Sequence, residues 1–374
     1  MHSGMFSEQI KKYSWNEVHK AIYNKTSHDV EVALSKMKCS SDDLMAFLSP
    51  AAGVYLEQLA NKSHDLTVRR FGKTIQLFAP IYLSNECQNI CTYCGFSFGN
   101  KIPRKTLSEG EMKTEFQFLK GENFEHVLLV TGEDTIYANP GYINHSISIA
   151  RKYFSDVSIE VQPLGEVEYK TFKDSGCDAV LVYQETYNPE VYKKYHLKGK
   201  KANYNYRLDT PDRVGEASMN KIGLGVLLGL SDWRTDAFFL AMHLNYLEKA
   251  YWQTRYSISF PRLRPAEGVR SVEHPVNDKE FVQLLCAFRI FDNEVEMSLS
   301  TREPENMRNH LIHIGVTSMS AGSKTNPGGY TISPGTLEQF EISDSRTPEQ
   351  ILKLIQEQGY EPVWKNWDKA LTAH

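Results

Sequence analysis

Three thiols in "NECQNICTYCGFS", Cys87, Cys91 and Cys94, fall within eight positions of a 374-residue chain that has only six cysteines. The other three, Cys39, Cys177 and Cys286, stand alone in apolar or mixed surroundings and read as small buried hydrophobes. A disulfide framework is not expected in so long a chain with no apolar leader at its start, so the cluster reads as metal-binding or catalytic. The number of thiols matters. A structural zinc ion takes four tetrahedral ligands, commonly from paired CxxC units. The nearest histidine, His126, belongs to the next apolar run. A cubane iron–sulfur cluster also takes four ligands. Three thiolates would leave one iron open to a ligand that is not protein, and that open position would be the functional point.

A loop of this kind needs a scaffold, and the flanking sequence supplies one. Short apolar runs rich in β-branched and aromatic residues alternate with longer amphipathic segments, the pattern of repeated βα units. The expected strands are Ile75–Leu83, His126–Thr131, Val157–Val161, Ala179–Tyr183, Ile222–Leu228, Ser257–Phe260, Val295–Leu299 and Gly315–Ser318. Helical periodicity covers Leu107–Lys120, Gly141–Phe154, Glu166–Ser175, Trp233–Trp252 and Asp278–Phe291. Eight strands over about 250 residues fit an α/β (β/α)8 barrel; an open doubly wound sheet has the same periodicity. We expect a helical N-terminal extension over 1–70, the barrel over 71–335, and a short C-terminal extension over 336–374 that packs on it.

In such barrels the chemistry sits where strands end. The expected exits carry the polar stretches "SNECQNIC", "TGED", "EVQP", "YQETY", "LSD", "PRLRP", "STRE" and "SAGSKTNPGGY". One carboxylate among these, such as Glu133, would ordinarily be a local helix cap. The convergence of so many on one mouth is what points to a binding site.

Composition narrows the class further. The net charge of −4 argues against general nucleic-acid binding. With no window apolar enough to span a membrane, a cytoplasmic protein is expected. One basic stretch, "YKKYHLKGKKANYNYR" over 192–207, reads either as a solvated loop or as a surface for an anion or a partner.

The CxxxCxxC spacing, with Tyr93 just before the last cysteine on the loop after the first strand, resembles the radical S-adenosylmethionine (SAM) enzymes. In that family SAM chelates the unique iron of a [4Fe–4S] cluster, and electron transfer cleaves SAM to a 5′-deoxyadenosyl radical. The resemblance implies Cys87, Cys91 and Cys94 as cluster ligands and Tyr93 at the adenine. It places Gly132 and Glu133 of "TGE" at the SAM amino group, with Glu160, Gln162 and Arg255 as further SAM contacts.

Stretches along nearly the whole chain, among them "YLSNECQNICTYCGFS", "LLVTGE", "KIGLGVLLGLSDWR" and "GSKTNPGGY", resemble the tyrosine lyases of bacterial thiazole biosynthesis. This implies Cα–Cβ cleavage of L-tyrosine to 2-iminoacetate and 4-methylphenol, after hydrogen abstraction from the amino group. It also implies thiazole synthase as a partner and flavodoxin or ferredoxin as electron donor. Arg302, with a planar fork suited to a carboxylate, is the expected substrate clamp, and Ser320 and Ser323 are candidates for the amine or carboxylate. Tyr183, Glu185, Arg262 and Arg264 all qualify as readers of the phenol hydroxyl. Tryptophan lyases share the cluster loop and clamp, so tryptophan is the alternative substrate. The lyases of hydrogenase maturation carry a second cysteine-rich site near the C-terminus, and no cysteine follows Cys286 here.

Overall fold

The computed structural model describes residues 4–264, 272–333 and 338–364. Eight parallel strands, Thr74–Ser84, His126–Thr131, Asp156–Glu160, Ala179–Leu181, Lys221–Gly225, Arg255–Ser259, Glu296–Leu299 and Ser318–Ser320, pair in chain order. The last pairs with the first, Gln76 opposite Ser318, which closes the barrel and excludes the open sheet. A further strand, Glu361–Val363, adds to the first at Thr74–Gln76. The expected boundary at 335 and the tail from 365 lie outside the described residues.

The strands form largely where expected because parallel strands covered on both faces are mostly apolar, although the fourth and fifth end at Leu181 and Gly225, short of Tyr183 and Leu228. All six residues of His126–Thr131 are buried. Leu128 and Val130 face the barrel interior, while Val127 and Leu129 join the shell packed under the helices. Helix starts follow their caps: Ser108 with Glu111 and Asn277 with Glu280 form capping boxes. The eighth strand starts three residues later than expected. Gly315 takes φ +138°, a turn conformation rather than a strand, and its carbonyl accepts from the buried Arg289 at 2.9 Å.

The N-terminal helices Ser41–Leu48 and Leu56–Phe71 pack on the barrel helix Asp278–Phe291. Gln283 ties them down, its amide donating to the carbonyls of Phe47 and Ser49 at 2.7 and 2.8 Å. Cys177 and Cys286 are buried as expected, whereas Cys39 is half-buried.

One internal carboxyl fixes the loop after the fourth strand. Asp236, on helix Trp233–Ala250, accepts from the Tyr187 backbone N–H at 2.6 Å and from the Thr186 hydroxyl at 3.0 Å. Burial pushes its carboxyl up to about 8, outweighing those hydrogen bonds. The unfolded chain ionises this group near 3.8, so between the two values the folded state holds the extra proton. Stability must therefore fall as pH rises across that window. Asp236→Asn keeps the carbonyl acceptor and has no proton to lose. Its urea midpoint should drop less than that of the parent between pH 6 and pH 8, and equal drops would refute the assignment.

Candidate active site

The loop after the first strand places Cys87, Cys91 and Cys94 in one cavity at the C-terminal mouth of the barrel. Arg104 gathers this loop from beneath. Its guanidinium donates to the carbonyls of Asn85, Phe96 and Ser97 at 2.6, 2.9 and 2.8 Å. A two-stranded antiparallel ribbon holds the other side, with Ile90 opposite Lys198 and Cys91 opposite His196. Gly199 makes the approach possible: its φ is +95°, and a Cβ there would stand 2.1 Å from Asn89 Oδ1. Nothing in the sequence marks Arg104 except its place in a run of basic residues.

Burial pushes the Cys87 thiol up to about 11 and raises Cys91 and Cys94 as well. Three such thiols keep their protons at neutral pH and become thiolates when a metal takes the proton's place. Among the described residues no three His, Cys, Asp or Glu side chains converge on a single ion. The thiols instead stand around a common cavity, as a multi-iron cluster requires. The backbone beside them is bare at Gly132, where a Cβ would lie 2.2 Å from the Glu86 carbonyl oxygen and 3.3 Å from Cys87 Cβ. These residues fit a three-thiolate cluster.

Tyr93 lines the same cavity and donates to His196 Nε2 at 2.7 Å. That direction follows because His196 Nδ1 lies 2.7 Å from the Tyr192 carbonyl, which accepts only, and burial followed by the Lys201 charge lowers the imidazole to about 3. Glu133 caps no helix: it accepts from Arg207 and from Asn89 at 2.7 and 2.8 Å. Glu160 also faces the cavity. Burial, then the neighbouring Glu185, raises it to about 7 against the pull of Arg302, Lys201 and Arg207, a state that a bound cationic group would reverse.

Two expected SAM contacts lie elsewhere. Gln162 is drawn to the loop behind Glu133, where its amide donates to the carbonyls of Asp134 and Ala138 at 3.1 and 2.8 Å. It braces that loop and does not line the main cavity. Arg255, ahead of the expected sixth strand, is that strand's first residue, so it emerges at the N-terminal end of the barrel, 3.6 Å from Glu296. There it shares a separate cleft with Arg70 and Glu294.

The basic stretch also differs from expectation. It folds into helix Pro189–Tyr195, strand His196–Lys198 and helix Tyr204–Leu208, and it sends Lys201 and Arg207 inward. Lys201 meets Glu185 at 2.7 Å, and Arg207 bridges Glu133 and Glu185 at 2.7 and 3.5 Å. Burial alone would raise the Glu185 carboxyl, but these two cations hold it below the usual carboxylate range. Glu185 sits at φ +71°, a sparsely populated conformation for a residue with a side chain.

Across the cavity, Arg302 stacks its guanidinium 3.4 Å over the Phe340 ring and makes no ion pair among the described residues. Burial lowers its affinity for the proton, while Tyr82 and Glu160 support the charge. Ser320 accepts from the Thr301 N–H at 3.2 Å, and the Ser323 hydroxyl is buried in the wall with no hydrogen-bond partner among the described residues. Of the four phenol candidates, Arg262 and Arg264 are spent on Glu303 and Glu185 on Lys201. Tyr183 is left, beside Ser259 in the cavity wall.

A closed parallel barrel with three thiols on its first loop and a glycine–glutamate pair at its second exit defines the radical SAM class, whose members use a [4Fe–4S] cluster and SAM. Consistently, residues 81–241 match the Radical SAM superfamily, and 259–361 match the Biotin and Thiamin Synthesis associated domain. The chain is 47% identical to the 2-iminoacetate synthase of Escherichia coli K12 over 98% of its own length and 97% of that protein. The Salmonella typhimurium enzyme of the same name matches equally. The chain belongs to the 2-iminoacetate synthase family. Among solved structures, the FeFe-hydrogenase maturase HydG from Carboxydothermus hydrogenoformans aligns with a TM-score of 0.90 at 29% identity, covering 97% of this chain and 86% of that one.

The bare backbone at Gly132 has a measurable consequence. Gly132→Ala must displace the Glu86 carbonyl and crowds the Cys87 side chain. After anaerobic reconstitution, its iron content per chain should fall severalfold below that of the parent. Full iron loading would show that the cradle tolerates a methyl group.

Proposed function

We propose that this chain cleaves the Cα–Cβ bond of L-tyrosine, giving 2-iminoacetate and 4-methylphenol for thiazole assembly. In this reading Cys87, Cys91 and Cys94 hold the cluster, and Tyr93, Gly132, Glu133 and Glu160 form the SAM side of the cavity. Bound there, the cluster and SAM supply a 5′-deoxyadenosyl radical by one-electron reduction. The observation that carries the substrate assignment is Arg302: a guanidinium held by an aromatic face, with its fork unpaired among the described residues, in the same cavity as the Ser323 hydroxyl, which also has no partner among them. A substrate carboxylate satisfies both.

The protein's share of the work is placement and exclusion of water. Arg302, Ser320 and Ser323 fix the amino-acid end, and Glu160 receives a cationic group. Phe78, Leu128 and Leu181 supply an apolar wall for the aromatic ring. The radical is quenched by any nearby hydrogen donor, so this ordering decides yield as well as rate. Tyr183 is the residue best placed to distinguish a phenol from an indole. Thiazole synthase as the product's recipient, a cytoplasmic setting and a one-electron donor protein complete the proposal; among the described residues no helix is long and apolar enough to cross a membrane.

The test is an anaerobic assay of the reconstituted, reduced chain with SAM and either tyrosine or tryptophan, measuring 5′-deoxyadenosine and the aromatic product. Tyrosine-dependent 4-methylphenol is expected. Cleavage of tryptophan alone would replace the substrate, and Cys91→Ala should abolish both products. Arg302→Met should raise the KM for tyrosine roughly 10- to 100-fold, matching about 1.5–3 kcal/mol for a charged hydrogen bond. An unchanged KM would remove Arg302 from the clamp.

A further inference from the structure

Two segments that meet over the cluster loop contain no acidic residue at all, in a chain whose net charge is −4. Residues 89–105 carry three lysines and arginines, and residues 191–207 carry six. The antiparallel pairing of Ile90 with Lys198 and Cys91 with His196 brings the segments together. Some of these cations have internal work: Lys201 and Arg207 face the buried carboxylates, and Lys105 and Lys194 pair with Glu111 and Glu273. Lys101, Lys193, Lys198 and Lys200 are exposed and make no ion pair among the described residues.

Two large apolar side chains stand out among these lysines. Phe98 is 60% exposed and Leu197 is 59% exposed. Both belong to the frame of the cluster loop. The Phe98 N–H donates to the Asn89 carbonyl at 2.8 Å, and Leu197 lies between the two residues that pair with Ile90 and Cys91. Exposed apolar side chains on the same two paired segments as unpaired lysines are the composition of a docking face rather than of a solvated loop. It sits on the loop that carries the three thiols.

We propose that this face docks a small acidic one-electron carrier protein, which passes one electron to the cluster held by Cys87, Cys91 and Cys94. The carrier is oxidised by one electron and the cluster reduced by one; no bond is made or broken in the transfer. Charge selects the partner: lysines without partners steer an acidic surface, while Phe98 and Leu197 give the contact its desolvated centre. The proposal rests on the reading of the thiol loop as a cluster site.

An acidic flavodoxin serves as the probe. Its affinity for the chain is measured by calorimetry at low and high salt, and its rate of cluster reduction by loss of iron–sulfur absorbance. The lysine variant is Lys101→Glu/Lys193→Glu/Lys198→Glu, and Leu197→Ser tests the apolar centre separately. Parental binding should weaken steeply with salt, the lysine variant should lose at least tenfold in both affinity and reduction rate, and Leu197→Ser should lose affinity with little change in salt dependence. Reduction by dithionite should be unchanged in each, which shows that fold and cluster are intact. Parental affinity in the lysine variant would overturn the proposal. So would unchanged flavodoxin binding accompanied by lost binding of thiazole synthase, which would assign the face to that protein. A parent that loads no iron would instead refute the cluster reading, and calorimetry on the unloaded chain would still decide whether the face binds the carrier.

Discussion

The mouth of this barrel depends on a balance of buried charge. Glu133 and Glu185 leave their strands inside a cavity that also holds three thiols, and neither carboxylate is stable there unpaired. Arg207 reaches both, and Lys201 completes the set at Glu185. Both cations come from the excursion between the fourth and fifth strands, whose strand His196–Lys198 also pairs with the cluster loop. One excursion therefore neutralises the site and fixes the geometry of the thiols. This explains why so basic a stretch is folded rather than solvated.

A second anchor works on the opposite wall. Asp344 is fully buried between Arg308 and Arg346, and Arg308 also donates to the Ser320 carbonyl. The segment ending at Asp344 is thereby held over the seventh and eighth exits, with Ser343 and Asp344 donating to the Thr301 carbonyl at 3.0 and 3.2 Å. The segment delivers Phe340 under Arg302 and Gln339 to Tyr82, whose hydroxyl donates to it at 2.7 Å. The guanidinium proposed for the substrate carboxylate is thus held by packing, with no counter-ion among the described residues. It keeps its charge without using its hydrogen-bonding fork.

Division of labour between strands and loops follows from the same physics. Strands buried on both faces admit few polar groups, so Phe78, Leu128 and Leu181 form the apolar part of the cavity. Charged groups enter where the ladder ends and the backbone is free to turn, while within the strands the polar lining comes from hydroxyls such as those of Ser259 and Ser298. Position along a strand then decides function: Glu160 closes its strand and faces the cavity, whereas Arg255 opens its strand and cannot.

The sequence by itself determined what is local. Eight apolar runs set the strands, capping residues set several helix starts, and the spacing of Cys87, Cys91 and Cys94 singled out three thiols on one loop without any coordinates. What it left open are pairings between distant residues. Arg207 and Glu133 are 74 positions apart, and nothing local distinguishes that arginine from the exposed lysines near it. The same holds for Arg262 and Arg264, which look free in sequence and are taken by Glu303, and for Gln162, whose amide is captured by a neighbouring loop. Long-range ion pairs and hydrogen bonds depend on which chain segments the closed barrel brings within a few ångströms, and only the tertiary structure decides that.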